Sequence, residues 1–218
     1  MDLIARLLAI DVSALSDADK TLPVVDPAVR AMLPDVRMAG TAFTVLAEDD
    51  HLPVMSALGE AEPGDVLVIA TNGGSRAVFG ELVATEASRR GLAGIVADGF
   101  CRDLRGVRAI GLPVFARGTT PRSGTAVSRA ALGSTIVCGG VGVSPGDIVF
   151  ADDDGVLIAG AERIAAALET AELIARSERA ILAAQARGQG LPQLTNLDDH
   201  AAALDRGEAS ALAFRVDA

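Results

Sequence analysis

The sequence predicts a single α/β domain with a mixed sheet and a C-terminal helix. Residues 64–117 alternate short apolar runs with stretches of helical spacing, an order that is typical of a parallel sheet with crossover helices. Residues 133–160 contain short β-rich runs broken by Gly-Gly, Pro-Gly-Asp and Asp-Asp-Gly, which are hairpin signals and indicate antiparallel strands. Residues 161–188 carry apolar positions at helical spacing and predict one long helix.

The first quarter of the chain predicts a helix, an irregular stretch, a strand and a second helix. Residues 1–17 are interpreted as one amphipathic helix, whereas the prolines of residues 23–35 indicate irregular structure. Residues 36–47 alternate in part and are rich in Val, Thr and Phe, so they predict a strand. Residues 51–61 predict a short helix.

The predicted parallel unit begins with a Pro-Gly-Asp turn that leads into a buried strand over residues 65–70. A Thr-Asn-Gly-Gly loop follows, then a helix over residues 80–90 that ends at Gly91. Residues 93–98 predict a strand, residues 104–111 a helix and residues 112–118 a further strand. The tail from residue 191 onward contains one short helical stretch and is interpreted as an arm that packs on a neighbour.

Composition excludes several classes of function. Half of the 218 residues are hydrophobic and the mean hydropathy is +0.37, so the chain is not disordered. Its net charge of −10 has the wrong sign for general binding to nucleic-acid phosphates. We also expect no membrane span, because no apolar run reaches ~18 residues, and no basic signal peptide precedes the first helix, so the predicted location is the cytoplasm. The two cysteines, Cys101 and Cys138, are expected to be small buried thiols.

The loop and helix at residues 72–83 form the first candidate site. Gly73 and Gly74 allow a close turn, and Gly80 opens the helix, whose first N–H groups over residues 80–83 are suited to a carboxylate or phosphate. An ordinary glycine-containing turn, with Glu81 placed favourably near the helix dipole, explains the same residues. The stretch is neither a P-loop nor a GxGxxG motif, so nucleotide binding is not favoured.

The second candidate is the stretch DGFCRD, residues 98–103, which follows the apolar run of residues 94–97. Ligands bind beyond the carboxyl ends of parallel strands, and this strand would deliver Arg102 and Asp103 to such a position. The Asp103 carboxylate suits Mg²⁺ or a similar hard ion, and Arg102 presents a fork of donors to a carbonyl or carboxylate oxygen. A solvated turn with two cancelling charges remains the alternative.

Three other groups of residues favour structural roles. The acidic stretch of residues 151–156 lies between two predicted strands, and its Asp154-Gly155 pair is typical of a hairpin turn. His51 and His200 have no second histidine at zinc-ligand spacing. Ser75, Ser123 and Ser128 lack a histidine base in the sequence pattern, which argues against a serine hydrolase.

An ordered series of motifs resembles the family of 4-hydroxy-4-methyl-2-oxoglutarate aldolases and regulators of ribonuclease activity A. The resemblance covers residues 26–160, which it marks as a core domain between an N-terminal helical segment (1–25) and a C-terminal helix and tail (161–218). The motifs are GTAFTV (40–45), EPGDVLVI (62–69), NGG (72–74), FGELVAT (79–85), GIVADGFCRD (94–103), LPVFARGTTPR (112–122) and GGVGVSPGDIVFADDDGVLI (139–158).

The resemblance implies a swivelling β/β/α-type domain that assembles as a homotrimer or a pair of trimers, with sites at subunit boundaries. It implies that the backbone of Gly80, Glu81, Leu82 and Val83 receives the substrate, that Arg102 contacts the substrate oxyanion, and that Asp103 holds a divalent metal, Mg²⁺ or Mn²⁺. Glu81 would reach that metal through water.

The activity expected from the resemblance is a metal-dependent lyase that cleaves 4-hydroxy-2-oxo acids to pyruvate and decarboxylates oxaloacetate. A Schiff-base mechanism is disfavoured because Lys20 is the only lysine of the chain. The alternative is a protein that binds and restrains a ribonuclease E-type complex without catalysis. A quinone methyltransferase is not supported, because no glycine loop of that type precedes an acidic strand end. The general base is not identified by the sequence.

Overall fold

The computed structural model describes residues 2–129 and 132–215. Its helices are α1 Leu3–Leu7, α2 Val12–Ala18, α3 Leu52–Glu60, α4 Glu81–Arg89, α5 Leu104–Ile110, α6 Ala161–Ala186 and α7 Leu197–Asp205, with a 3-10 turn at Leu191–Leu194. Its strands are β1 Arg30–Ala31, β2 Arg37–Leu46, β3 Asp65–Ala70, β4 Ala77–Phe79, β5 Gly94–Cys101, β6 Val114–Thr119, β7 Ile136–Cys138, β8 Val141–Val143, β9 Ile148–Asp152 and β10 Gly155–Ala159.

The described strands form one large mixed sheet and a small hairpin, which confirms the predicted α/β class. The large sheet has the order β1-β6-β5-β3-β2-β9-β10, and β4 pairs with β5 beside this path. Strands β2, β3, β5 and β6 run parallel, as the alternation of residues 64–117 predicts. Strands β9 and β10 continue the sheet in antiparallel pairing, and β7 and β8 form the separate hairpin.

The sheet separates two apolar clusters. Along β9 and β10 the buried residues alternate, so that Val149 and Ile158 belong to the main cluster while Phe150 and Leu157 belong to a second one. The second cluster is completed by α1, α2 and the first half of α6. Strands that are covered on both faces need a nearly continuous apolar sequence, which explains the runs that mark them.

Three details differ from the sequence prediction. The single N-terminal helix is two short helices, α1 and α2, separated by residues 8–11. Strand β4 was not predicted, since three residues between a glycine-rich loop and a helix carry little periodicity. Strand β5 does not end at Asp98, as predicted, but continues through Cys101, and the Asp98 carboxylate is paired with the Arg117 side chain on the neighbouring strand β6.

Both cysteines are free and buried, as expected. Burial raises the pKa of the Cys101 thiol to about 11 and that of Cys138 to about 12. Within the described residues, no helix is long and apolar enough to cross a membrane.

Asp50 ties the start of α3 to the loop that follows β6. Its side chain is almost fully buried and accepts hydrogen bonds from the Thr125 hydroxyl (2.7 Å) and from the backbone N–H groups of Leu52 (2.8 Å), Val127 (2.8 Å) and Ser128 (3.0 Å). Burial alone would raise the pKa of this carboxyl, but the hydrogen bonds outweigh it and lower the pKa to about 2. The ionised carboxylate therefore holds these segments together.

We expect Asp50→Asn to lower the free energy of unfolding by about 2 kcal/mol at pH 7, since an amide accepts fewer and weaker hydrogen bonds. The folded pKa lies below the unfolded one, so the stability from Asp50 is complete above about pH 4 and is lost as pH falls toward 2. Urea unfolding at several pH values measures both effects. Asp17→Asn, which removes only an exposed ion pair with Lys20, is the control. An Asp50→Asn deficit that stays constant from pH 7 to 2.5 would contradict this account.

Candidate active site at the carboxyl ends of the parallel strands

Loops from four parallel strands meet at one edge of the large sheet. His51 follows β2, Gly80 follows β3 and β4, Arg102 follows β5, and Ser123 follows β6. These four residues line one small cavity of about 130 Å³. The edge is the carboxyl end of the parallel strands, where open α/β sheets bind their ligands.

The start of α4 lies directly against the end of β5. Gly80 is the residue before α4, and a Cβ atom placed on it would lie 2.6 Å from Asp103 Oδ2 and 2.9 Å from Arg102 Cγ. The backbone joins the same two elements, because Arg102 N–H donates to the Phe79 carbonyl at 3.1 Å. Only glycine leaves room for this approach.

The amides of the first turn of α4 have no capping side chain, because Gly80 supplies none. A helix leaves its first N–H groups without intrahelical partners, and these groups carry partial positive charge. The turn therefore presents donors next to the Arg102 guanidinium. Together they supply hydrogen-bond donors and one positive charge in a protein of net charge −10.

Arg102 and Asp103 form an ion pair that water reaches. Arg102 Nε lies 3.3 Å from Asp103 Oδ2, and the two side chains are 41% and 46% exposed. Such exposed pairs contribute little to stability, so either group can change partner at small cost. Asp103 also has a left-handed backbone, with φ 54° and ψ 39°, which is uncommon outside glycine but is tolerated best by Asp and Asn.

The predicted site residues divide between two adjoining concavities. Gly80, Leu82 and Arg102 line the small cavity, whereas Glu81 and Asp103 line a more open one of about 510 Å³ beside α5. The Glu81 carboxylate packs against Gly106 of α5. Gly80 and the Arg102–Asp103 pair form the boundary at which the two concavities meet.

Leu82 and Val83 differ from one another. The Leu82 side chain is 82% exposed at the rim of the small cavity. The Val83 side chain is half-buried against the main core and lines neither concavity. A ligand contact at position 83 is therefore limited to the backbone.

His51, Met55 and Ser123 are cavity residues that the sequence did not reveal. The sequence assigned His51 to no site and left Ser123 without a histidine, yet both line the same cavity. A bridge between Ala77 of β4 and Ser123 brings the loop after β6 into place. No hydrogen bond joins His51 and Ser123 in this cavity.

The donor set at Asp103 fits a hard divalent ion that keeps several waters. The oxygens of Asp103 and Glu81 are the ligand type that Mg²⁺ and Mn²⁺ prefer, and both carboxylates line the open concavity. The described residues contain no group of three or more His, Cys, Asp or Glu side chains placed to enclose a metal. The protein would thus supply few ligands to such an ion, and oxygens of water and of the bound ligand would complete its coordination shell.

The acidic stretch at residues 151–156 forms the β9–β10 turn, as predicted. Asp152 accepts hydrogen bonds from the N–H groups of Val12 at 2.9 Å and Asp154 at 3.0 Å, so its carboxylate is used within the fold. Its burial raises the pKa of the carboxyl above the usual value.

These features define an α/β protein with a candidate site for an anion and a cation in the loops at the carboxyl ends of its parallel strands. The chain matches the RraA-like family model, described as Aldolase/RraA, over residues 12–158. The chain therefore belongs to the RraA-like family.

Individual relatives carry different names. A protein of Halalkalibacterium halodurans, provisionally named a 4-hydroxy-4-methyl-2-oxoglutarate aldolase, is 36% identical over 160 residues, which are 72% of this chain and 76% of the relative. An uncharacterised Pseudomonas syringae pv. tomato protein superposes with a TM-score of 0.78 at 25% identity, over 88% of this chain and 95% of that one. The RNA-processing inhibitor RraA of Thermus superposes with a TM-score of 0.62 at 28% identity, over 67% and 90%.

We expect Gly80→Ala to destabilise the protein by about 1–3 kcal/mol, because the new methyl group overlaps Asp103 and Arg102 and because alanine is a poor residue before a helix. Gly59→Ala is the matched control. Gly59 lies inside α3 with open space around its Cβ position, so this change should stabilise by about 0.5–1 kcal/mol. Urea midpoints compare the two variants. Equal or greater stability of Gly80→Ala than wild type would disprove the close approach.

Proposed function

We propose that this protein is a divalent-metal-dependent carbon–carbon lyase that cleaves 4-hydroxy-2-oxo acids, such as 4-hydroxy-4-methyl-2-oxoglutarate, to pyruvate. Decarboxylation of oxaloacetate is proposed as an accompanying activity, because it breaks the bond to the same three-carbon unit. The observation that carries the proposal is the meeting of Gly80, Arg102 and Asp103 at the carboxyl ends of the parallel strands. The provisional aldolase name of the Halalkalibacterium relative supports the same reaction class.

Asp103, with Glu81 nearby, would hold the metal on the side of the open concavity. A bound ion of this kind supplies Lewis-acid polarisation of a keto oxygen. The exposed and weak Arg102–Asp103 pair leaves Asp103 able to exchange its partner for a cation.

The start of α4 would orient the substrate carboxylate. The amides of its first turn have no capping side chain, so they would be free to donate to that carboxylate. Arg102 lies beside these donors and would place a permanent positive charge near the keto oxygen, which gains negative charge during bond cleavage. Such a fixed charge commonly lowers a barrier by several kcal/mol.

We further propose that the protein works in the cytoplasm, as a homotrimer or a pair of trimers, and that neither nucleic acid nor a membrane is its partner. The net charge of −10 supports the exclusion of nucleic acid. The assembly remains a prediction from the family resemblance.

We expect oxaloacetate to yield pyruvate in the presence of Mg²⁺ or Mn²⁺, and chelation to abolish this turnover. Arg102→Lys and Asp103→Asn should each lower kcat/KM by about 100-fold or more, because lysine lacks the fork and asparagine lacks the charge. Asparagine tolerates the left-handed backbone at position 103, so this variant tests charge without strain. Arg89→Lys, in an exposed pair with Glu86, is the control. Full metal-dependent activity of both site variants would refute the assigned roles.

The second candidate function is regulation of a ribonuclease E-type enzyme through binding alone. The similarity to the Thermus protein named an RNA-processing inhibitor favours it. Titration calorimetry against such a ribonuclease, with wild type and Arg102→Lys, separates the two functions. Tight binding without any metal-dependent turnover would favour the regulator, whereas turnover without binding would favour the lyase.

A further inference from the structure

His51, which carries an imidazole, is one of the residues that line the cavity beside Arg102. The histidine lies between β2 and α3, and it shares the cavity with Gly80, Leu82, Arg102 and Ser123. The carboxylates of Glu81 and Asp103 line the other concavity. Among the described side chains of the small cavity, His51 is the one suited to take up a proton, since a guanidinium has no acceptor and a serine hydroxyl is a weak base.

The backbone of His51 is fixed by hydrogen bonds, whereas its ring makes none among the described residues. His51 N–H donates to the Thr125 carbonyl at 2.9 Å, and the His51 carbonyl accepts from Met55 N–H at 3.0 Å. The neighbouring Asp50 binds Leu52 on one side and the loop of residues 125–128 on the other. None of the hydrogen bonds among the described residues uses the His51 ring nitrogens, so the ring has no structural partner to lose.

Cleavage of a 4-hydroxy-2-oxo acid needs a group that accepts a proton. The C4 hydroxyl must lose its proton so that the O–H electron pair forms the C4 carbonyl. The C3–C4 bond then breaks, and its electron pair moves into a C2–C3 double bond while the C2 oxygen gains negative charge. A proton added to C3 finally gives the methyl group of pyruvate.

We propose that His51 accepts the C4 hydroxyl proton in aldol cleavage and returns it to C3. One turnover then neither consumes nor releases a proton. This inference rests on the proposed lyase function. If the carboxylate binds at the start of α4 and the keto oxygen at Arg102, the remaining lining residues His51, Met55 and Leu82 would surround the C4 end of the substrate. An acceptor is needed at that end.

Oxaloacetate decarboxylation needs no acceptor for a hydroxyl proton, so its turnover serves as an internal reference for aldol turnover. Its C4 leaves as CO₂, no hydroxyl proton is removed, and C3 takes its proton from water. A base that acts on the hydroxyl therefore changes the ratio of the two activities, whereas a residue that only shapes the cavity changes both alike.

The test compares kcat for 4-hydroxy-4-methyl-2-oxoglutarate and for oxaloacetate, both with Mg²⁺, in wild type, His51→Gln and His51→Ala. The ratio of aldol to decarboxylase turnover should fall about 100-fold in both variants, in the usual range for loss of a general base. Added imidazole should restore aldol cleavage in His51→Ala, where the truncated side chain leaves space. His200→Gln, which alters a histidine bonded to Ser210 in the tail, should keep the wild-type ratio.

Parallel losses of both activities, or an unchanged ratio without imidazole rescue, would overturn the role of His51 and leave the lyase function standing. Wild-type protein that turns over neither substrate would instead overturn the proposed function, and with it this inference. Circular dichroism and the urea midpoint of each variant confirm that the fold is retained.

Discussion

The contact between the start of α4 and the end of β5 is the constraint on which the candidate site depends. Gly80 carries no side chain, and this absence lets the first turn of α4 approach Arg102 and Asp103. The short strand β4, which pairs with the end of β5, brings Gly80 to this position. If the helix stood farther away, its amides, the guanidinium and the carboxylate would face separate regions of solvent.

This geometry would also allow a strongly acidic protein to bind the anionic substrate that we propose. Long-range attraction is unfavourable at a net charge of −10, so binding must come from groups within a few ångströms. The free amides of α4 and Arg102 supply such groups on one side of Gly80, and Asp103 with Glu81 supplies oxygens for a cation on the other. Donors for an anion and oxygens for a cation thus lie next to each other, joined by the exposed Arg102–Asp103 pair.

The sequence predicted most of the fold and placed Arg102 and Asp103 at the end of a parallel strand, and the reasons are local. The apolar runs of β3, β5 and β6 and the helical spacing between them identify a parallel sheet, and the rule for its carboxyl ends then singles out Arg102 and Asp103. The missed features depend on contacts distant in sequence. Strand β5 continues past Asp98 because that carboxylate is paired with Arg117, and β4 is stabilised by its neighbours rather than by its own pattern.

His51 and Ser123 escaped prediction for the same reason. They lie 72 positions apart in the chain, and each looks ordinary in its own segment. Only the pairing of Ser123 with Ala77, and the hydrogen bonds of Asp50 to the loop at residues 125–128, bring them to one cavity. A pattern search reads spacing along the chain, whereas this cavity is assembled from four separate loops.

The three residues after Gly80 differ in where their side chains lie but share the position of their backbone N–H groups. Their side chains point in different directions. The Glu81 side chain packs against Gly106 of α5, Leu82 is exposed, and Val83 packs against the core. Their N–H groups nevertheless all point out of the same helix end, since this is a property of the helix and not of the side chains. A substrate held by these amides would therefore tolerate many residues at positions 81–83 but require a residue without Cβ at position 80.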